Sequence, residues 1–149
     1  MAEEAVRDVV VISIHPEHAH AILNGEKTVE FRKRGFRRPV SHVLLYATAP
    51  TRRLVGCFSI SEVDQGAPTA IWAKHGRRGA VPRSLFRDYY RGSRAAVAIV
   101  VDKALAFDNP IPLTDLIPSG YTPQSFAYVC LRGRPEVAGM IGALGAVQA

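Results

Sequence analysis

Short apolar runs rich in β-branched residues recur along this chain, separated by turn-forming residues. The first, VVVISI, covers residues 9–14 and is too short for a helix, so it predicts a buried strand. Similar patterns predict strands at 27–34, 41–48, 53–63, 94–103 and 125–131. Five or six short strands with few helices favour a small, mixed β-barrel of the α+β class over a parallel sheet wound with helices.

The helix signals are short and lie mostly between the strands. In HPEHAHAILNG, Pro16 suits the first helical position and Gly25 suits the residue that ends a helix. PTAIWAKHG and VPRSLFRDYYRG predict two more short peripheral helices. Apolar residues at helical spacing behind Pro135 predict an amphipathic helix over about residues 135–147, packed on the barrel. Without repeats or a long linker, residues 1–149 are expected to form a single domain.

The charge balance favours an anionic partner. The formal net charge is +6 and the sequence pI is about 9.7, and lysines and arginines that contact phosphates release counterions from nucleic acids. The start of the chain is acidic rather than basic, and no apolar run reaches the roughly 18 residues of a membrane span. We therefore expect a cytoplasmic protein with no membrane partner. Cys57 and Cys130 lie in separate apolar runs, which predicts two buried, reduced thiols.

The segment LNGEKTVEFRKR, residues 23–34, concentrates charge on one predicted strand. The two-residue period of a strand puts Thr28, Glu30 and Arg32 on one face, and Val29 and Phe31 on the face that holds the strand to the core. An arginine can bind a phosphate or a base edge, and a carboxylate can accept from an exocyclic amino group. The alternative is that Glu30 forms an ordinary surface salt bridge, worth roughly 0–1 kcal/mol.

GEKTVEFR after a first strand and helix, followed by VLLYAT, RRLVGCF and a late YV strand, resembles the ASCH family of the PUA-like superfamily. The family pattern G-x-K-x-x-E-x-R is matched by Gly25, Lys27, Glu30 and Arg32. The resemblance implies a small β-barrel with a cleft near the motif. It also implies a superfamily whose members mostly bind RNA, sometimes read modified bases and occasionally hydrolyse nucleic-acid components.

The favoured function is therefore binding of RNA, or of a modified nucleobase or nucleoside, in a basic cleft around the motif, with DNA as a further candidate partner. No cofactor or metal is expected, because the spacing of His15, His18 and His20 does not bring three imidazoles to one face of a short helix. His15 lies where the first strand gives way to the helix, a suitable place for a cleft residue. The candidate ligand-binding residues are His15, Lys27, Thr28, Glu30, Arg32, Arg34, Tyr46 and Trp72.

The alternative function is hydrolysis of RNA or of a modified nucleoside such as an acylated cytidine, with Lys27, Thr28 and Glu30 as candidate catalytic residues. Some ASCH relatives use the motif lysine, a threonine three residues beyond it and a glutamate from a later strand. Here Glu30 occupies the threonine's place, and Thr28 is offset by two residues, roughly 7 Å along a strand. Another route would use Glu30 as a general base. A third possibility is a protein-interaction domain whose basic surface serves only solubility.

A second basic segment, from Lys74 to Arg94, is interleaved with aromatic residues. Aromatic rings beside arginines can stack unpaired bases. However, Leu85, Phe86 and Tyr89 fall at core spacing in a helix, which favours packing over base stacking. Trp72, the only tryptophan, could wall a nucleobase pocket or belong to the core.

Overall fold

The computed structural model describes residues 8–144 and contains one six-stranded mixed sheet. The strands are β1 (Asp8–Ile14), β2 (Val29–Arg32), β3 (Val40–Ala47), β4 (Arg53–Gly66), β5 (Ala96–Ile111) and β6 (Phe126–Val129). Their order in the sheet is β2-β5-β4-β3-β1-β6. The β1–β3 pair is parallel and the other pairs are antiparallel. The α+β class and the six strands predicted from the sequence are confirmed.

Four short helices lie around the sheet in the described residues. They are α1 (Pro16–Leu23), α2 (Pro68–His75), α3 (Arg83–Tyr89) and α4 (Pro135–Gly142), with 3₁₀ turns at Gly76–Arg78 and Leu113–Asp115. A proline occupies the first turn of α1, α2 and α4, where its missing N–H has no helical partner to lose. Helix α4 lies within the segment 135–147 predicted to be helical, and residues 145–147 are outside the described range.

The predicted closure into a barrel is not found in residues 8–144. Strands β2 and β6 are the two edges of the sheet: β2 pairs with β5, β6 pairs with β1, and the two edges form no ladder with each other. The loop after β2 contacts β6 instead. The rings of Phe36 and Phe126 lie 4.9 Å apart, and the Arg37 amide donates to the Tyr128 hydroxyl at 3.1 Å. The sheet is therefore curled but open.

Strand β5 is longer than the sequence predicted. It continues beyond Lys103 to Ile111, and residues Ala104 to Ile111 pair with the first part of β4. Register shifts interrupt this ladder, and irregular pairing lets long strands bend. Pro110 lies within β5, one residue before its end, where a proline is tolerated.

Both faces of the central strands are buried, which explains the uninterrupted apolar run in β1. Val9 and Val11 face one cluster, which α4 covers through Val137 and Ile141. Val10 and Ile12 face the opposite cluster, which includes Ile22 of α1 and other residues. A strand buried on both faces has no solvent side to carry polar residues.

A third cluster anchors β2, the strand that carries the charged motif. Val29 and Phe31 pack with Ile71 of α2 and with Phe86 and Tyr90 from α3 and its end. The rings of Phe31 and Phe86 meet edge to face at 4.9 Å. Val29 and Phe31 thus have the predicted core role, and their packing attaches helices α2 and α3 to the edge of the sheet.

The two cysteines differ in exposure. Cys57 is buried, but Cys130 is exposed, so the prediction of two buried thiols is wrong for Cys130. Cys130 directly follows β6, the edge strand, where the apolar run no longer has a covering layer. Among the helices of residues 8–144, none is long and apolar enough to cross a membrane.

Replacing Gly56 by alanine is expected to destabilise the fold. A Cβ at Gly56 would lie 2.6 Å from the Leu105 carbonyl oxygen and 2.5 Å from a methyl carbon of Leu23. Such overpacking costs about 1–3 kcal/mol of unfolding free energy, to be measured by urea denaturation. The control is Gly139→Ala in α4, where no atom lies within 4 Å of the added carbon. Equal stability of the two variants would contradict the packing described here.

Candidate functional site

A cleft of about 880 Å³ lies over the motif strand β2, next to the end of β1. Lys27, strand β2 and the residues after it form one wall, and α3 with Val81 forms another. The end of β1, α1 with His15, Thr48 and residues 124–125 contribute the rest. Its lining residues are Ser13, Ile14, His15, His18, Lys27, Glu30, Phe31, Arg32, Lys33, Arg34, Thr48, Val81, Leu85, Phe86, Tyr89, Gln124 and Ser125. Its size is within the range of small-molecule sites.

Lys27 is the most deeply buried charge in this cleft, with only 2% of the residue exposed. Its Nζ donates to the Gly79 carbonyl and lies 3.4 Å from Glu30 Oε1. Burial lowers the pKa of Lys27 because the charged ammonium loses its hydration, and the Glu30 carboxylate opposes this shift by favouring the charge. Lys27 is therefore held in the cleft wall.

Glu30 connects Lys27 to Arg32. While one carboxylate oxygen faces Lys27, Oε2 accepts from Arg32 Nε at 2.9 Å. Arg32 Nη2 also donates to the Ser13 carbonyl at 2.9 Å, which joins β2 to the end of β1 across the cleft. Both oxygens of Glu30 thus face cations of the protein, and Arg32 has structural partners on two strands.

A buried histidine organises the turn that faces Lys27. The Nδ1 of His75 lies 2.6 Å from an Arg78 guanidinium nitrogen, which can only donate, so Nε2–H of neutral His75 donates to Asp64 at 2.8 Å. This hydrogen bond is the main cause of the lowered pKa of Asp64. The Arg78 carbonyl in turn accepts from the Thr28 amide at 2.9 Å. The turn is thereby fixed against the start of β2.

The outer part of the cleft is exposed and basic. Lys33 and Arg34 are exposed, and Lys33 Nζ lies 4.8 Å from the centre of the Tyr89 ring. Tyr89 is 41% exposed and Leu85 is 58% exposed, although both are large and line the cleft. Partial burial raises the pKa of Tyr89, so its hydroxyl remains protonated at neutral pH. This rim offers cations beside an accessible aromatic ring.

Two histidines of the HPEHAH segment also line the cleft. His15 and His18 have ring centres 6.4 Å apart, whereas His20 is exposed and is not a lining residue. Burial, followed by the charge of Lys27, lowers the pKa of His18. A neutral imidazole at physiological pH can accept a proton. No three His, Cys, Asp or Glu side chains within residues 8–144 are grouped so that they could hold a metal ion.

The structure brings five of the eight candidate ligand-binding residues together and separates three from them. His15, Lys27, Glu30, Arg32 and Arg34 line the cleft.

Thr28 is not among the lining residues. Its amide donates to the Arg78 carbonyl and its carbonyl accepts from the Val101 amide, at 2.9 Å each. Thr28 precedes β2, so it lies outside the regular strand whose two-residue period predicted its place beside Glu30. Tyr46 is buried in the cluster under α4, because alternate residues of β3 face opposite sides of the sheet. Trp72 lines a second, smaller cleft.

Several lining residues were not among the candidates. The core packing favoured for Leu85, Phe86 and Tyr89 is found for Phe86 only; Leu85 and Tyr89, four residues apart on one face of α3, are exposed and line the cleft. Ser13, Gln124 and Ser125 come together because the Ser13 amide donates to the Ser125 carbonyl at 3.1 Å beside β6. This contact joins residues far apart in sequence and leaves no local signal.

Comparison with known proteins matches residues 12–110 to the ASCH domain model. The large ribosomal subunit protein uL22 of Ureaplasma parvum serovar 3 is 33% identical over 114 residues, which are 76% of this chain and 37% of that protein. The ASCH domain-containing ribonuclease of Zymomonas mobilis is 35% identical over 96 residues, 64% of this chain and 65% of that protein. The chain thus spans less than two thirds of the length of either relative.

The crystal structure of ASCH from Zymomonas mobilis superposes with a TM-score of 0.81 at 28% identity, covering 94% of this chain and 98% of that chain. A serine-to-alanine variant of the same protein gives a TM-score of 0.82, covering 89% and 96%. The fold therefore matches over nearly the whole length of both chains.

Replacing Glu30 by glutamine is expected to lower the pKa of Lys27 further, because the carboxylate that raises it is removed while its shape is kept. The measurement is an NMR titration of the Lys27 Cε resonance. Glu62→Gln serves as the control, since Glu62 is exposed and does not line the cleft. A Lys27 pKa that stays the same or rises in the Glu30 variant would show that the two groups are not coupled.

Proposed function

Because this chain belongs to the ASCH domain family, as its match over residues 12–110 shows, we propose that its cleft binds single-stranded RNA or a modified nucleobase or nucleoside. The observation that carries the proposal is the combination of exposed cations with an exposed aromatic ring on one rim. Arg34 and Lys33 supply the charge, and Tyr89 supplies the ring. Phosphates and bases are the ligand groups that suit these two features.

The charge of the cleft favours an anion. Four cationic side chains line it against one carboxylate, Glu30. Lys27 and Arg32 are paired with that carboxylate. Lys33 and Arg34 form no ion pair within residues 8–144, so their charge is available to a phosphate.

The shape of the rim favours an unpaired base over a duplex. Tyr89 and Leu85 form an apolar patch, and a ring with an accessible face can stack on a splayed base. Gln124, an exposed residue of the lining, offers an amide for a base edge. A modified base would be recognised here through the hydrogen bonds or apolar contacts that its modification adds or removes.

The relatives support RNA ahead of DNA. The Zymomonas mobilis relative is named an ASCH domain-containing ribonuclease, and the Ureaplasma parvum relative is named a ribosomal protein. DNA shares the phosphates and bases but lacks the 2′-hydroxyl. Same-sequence RNA and DNA therefore form the natural pair of ligands for a first comparison.

Arg34→Ala is expected to weaken binding of a short single-stranded RNA and to reduce the slope of log affinity against log salt by about 0.7, the value for one phosphate contact on a single strand. Tyr89→Ala is expected to weaken binding with little change in that slope, because stacking involves no counterion release. Fluorescence anisotropy over a range of salt measures both.

The control is Lys103→Ala, which removes an exposed cation that does not line the cleft. Melting temperatures verify that all three variants remain folded. If Arg34→Ala and Tyr89→Ala bind RNA as Lys103→Ala does, the cleft is not the binding site.

A second candidate function is RNA hydrolysis, and the histidine pair favours it. His18 lies in the cleft with a lowered pKa, so its neutral form can take the proton of a ribose hydroxyl. The deprotonated oxygen attacks the adjacent phosphorus and the bond from phosphorus to the 5′-oxygen breaks, and His15, whose ring centre lies 6.4 Å from that of His18, can return a proton to this leaving oxygen. The name of the Zymomonas mobilis relative agrees with this reaction class.

The earlier hydrolytic schemes receive less support. Glu30 is poorly placed to act as a general base because its two oxygens are already occupied by Lys27 and Arg32. Thr28 does not line the cleft, and neither does Glu62, an acidic residue of β4. The threonine, lysine and glutamate set that would cleave an acylated cytidine is therefore not assembled around Lys27.

His18→Ala is expected to reduce RNA cleavage by about 10²–10⁴-fold if His18 is the base. Because burial lowers the pKa of His18, the rising limb of the pH–rate profile, along which the neutral base accumulates, should have its midpoint below 6.5. His20→Ala is the control, since His20 is exposed and does not line the cleft. Intact RNA after long incubation with wild-type protein would leave binding as the function.

A further inference from the structure

A second cleft, of about 370 Å³, lies between the end of α2 and the start of α3. The 3₁₀ turn that follows α2 forms its floor. Its lining residues are Trp72, Ala73, Gly76, Arg77, Ala80, Val81 and Arg83. No carboxylate is among these residues, so the cleft combines an indole with two arginines and small side chains.

The indole of Trp72 is held in place by its neighbours. A Cβ at Gly76 would lie 2.6 Å from a carbon of that ring, so the glycine lets the backbone pack directly on the indole. On the α3 side, the rings of Trp72 and Phe86 have centres 4.9 Å apart. Trp72 is nevertheless only partly buried and still lines the cleft. A ring that is fixed yet accessible suits stacking, because little freedom is lost on binding.

The two arginines make the cleft basic. Arg77 and Arg83 are exposed, and neither forms an ion pair within residues 8–144. A guanidinium without a carboxylate partner can donate two parallel hydrogen bonds to a phosphate. An acidic peptide would also satisfy the charge, but the fixed indole adds a stacking surface that a base uses better.

The second cleft adjoins the first. Val81 lines both of them, and Phe86, which lines the first, contacts Trp72 of the second. The two clefts therefore share a wall residue and are joined by a direct ring contact. An RNA strand bound in the first cleft can pass over Val81 into the second.

We propose that the second cleft binds the adjoining nucleotide of the same RNA strand, with the base against Trp72 and the phosphate between Arg77 and Arg83. This inference rests on RNA binding in the first cleft, and it assigns the path by which the RNA strand leaves that cleft. The protein then reads a segment of at least two linked nucleotides rather than a single nucleoside.

The single tryptophan gives a direct test. Emission of Trp72 is followed while a mononucleotide or a trinucleotide is added to wild-type protein, and anisotropy gives the affinities. The trinucleotide is expected to change the emission and to bind at least about tenfold more tightly, since it alone fills both clefts. The mononucleotide is expected to leave the emission almost unchanged.

A double variant, Arg77→Ala with Arg83→Ala, is expected to lose this length advantage and to show a smaller salt slope for the trinucleotide, while mononucleotide affinity stays within about twofold. The matched control, Lys103→Ala with Arg132→Ala, removes two exposed cations that line neither cleft. Melting temperatures of both verify folding.

Each outcome decides the proposal. Equal affinity for the two ligands with unchanged emission, or a double variant that behaves like its control, overturns the second subsite but leaves RNA binding in the first cleft intact. Failure of wild-type protein to bind any RNA overturns both proposals together. Emission that changes with an acidic peptide but not with the trinucleotide would assign the second cleft to a protein partner instead.

Discussion

The buried ammonium of Lys27 is the constraint around which this end of the molecule is arranged. A cation removed from water must be met by partners, or it costs several kcal/mol. Glu30 and the Gly79 carbonyl supply them, and Glu30 also binds Arg32, which reaches the Ser13 carbonyl on β1. One short strand, a turn and the end of the first strand are thereby held together, and the cleft lies where they meet.

The charged residues between positions 27 and 34 therefore have two different roles. The inner charges, those of Lys27, Glu30 and Arg32, are paired with one another, so they define the shape of the cleft and the polarity of its floor. The outer ones, Lys33 and Arg34, remain exposed beside Tyr89. A cleft built in this way can hold an anion at its rim without competition from its own carboxylate. Beyond Val81, Arg77 and Arg83 repeat the combination of exposed cations and an aromatic wall.

Much of this fold could be predicted from local patterns. The β-branched runs located the strands, Pro16 located the first helix, and the G-x-K-x-x-E-x-R motif led to the family and to the lining residues Lys27, Glu30 and Arg32. The failures have specific causes. Barrel closure depends on whether the two edge strands pair, and β2 and β6, which are far apart in sequence, form no ladder with each other. Strand β5 continues past the predicted end because β4 offers a partner there, which no local pattern records.

The sequence by itself determined the alternation of β2, its concentration of charge and the family, because these depend on residues within a few positions of one another. Only the tertiary structure decided which side chains share a cleft. Tyr46 faces the wrong side of the sheet, while Tyr89 and Leu85 are brought to the motif by the packing of Phe86 against Phe31. Such contacts join residues more than fifty positions apart, and their geometry follows from how the elements pack together.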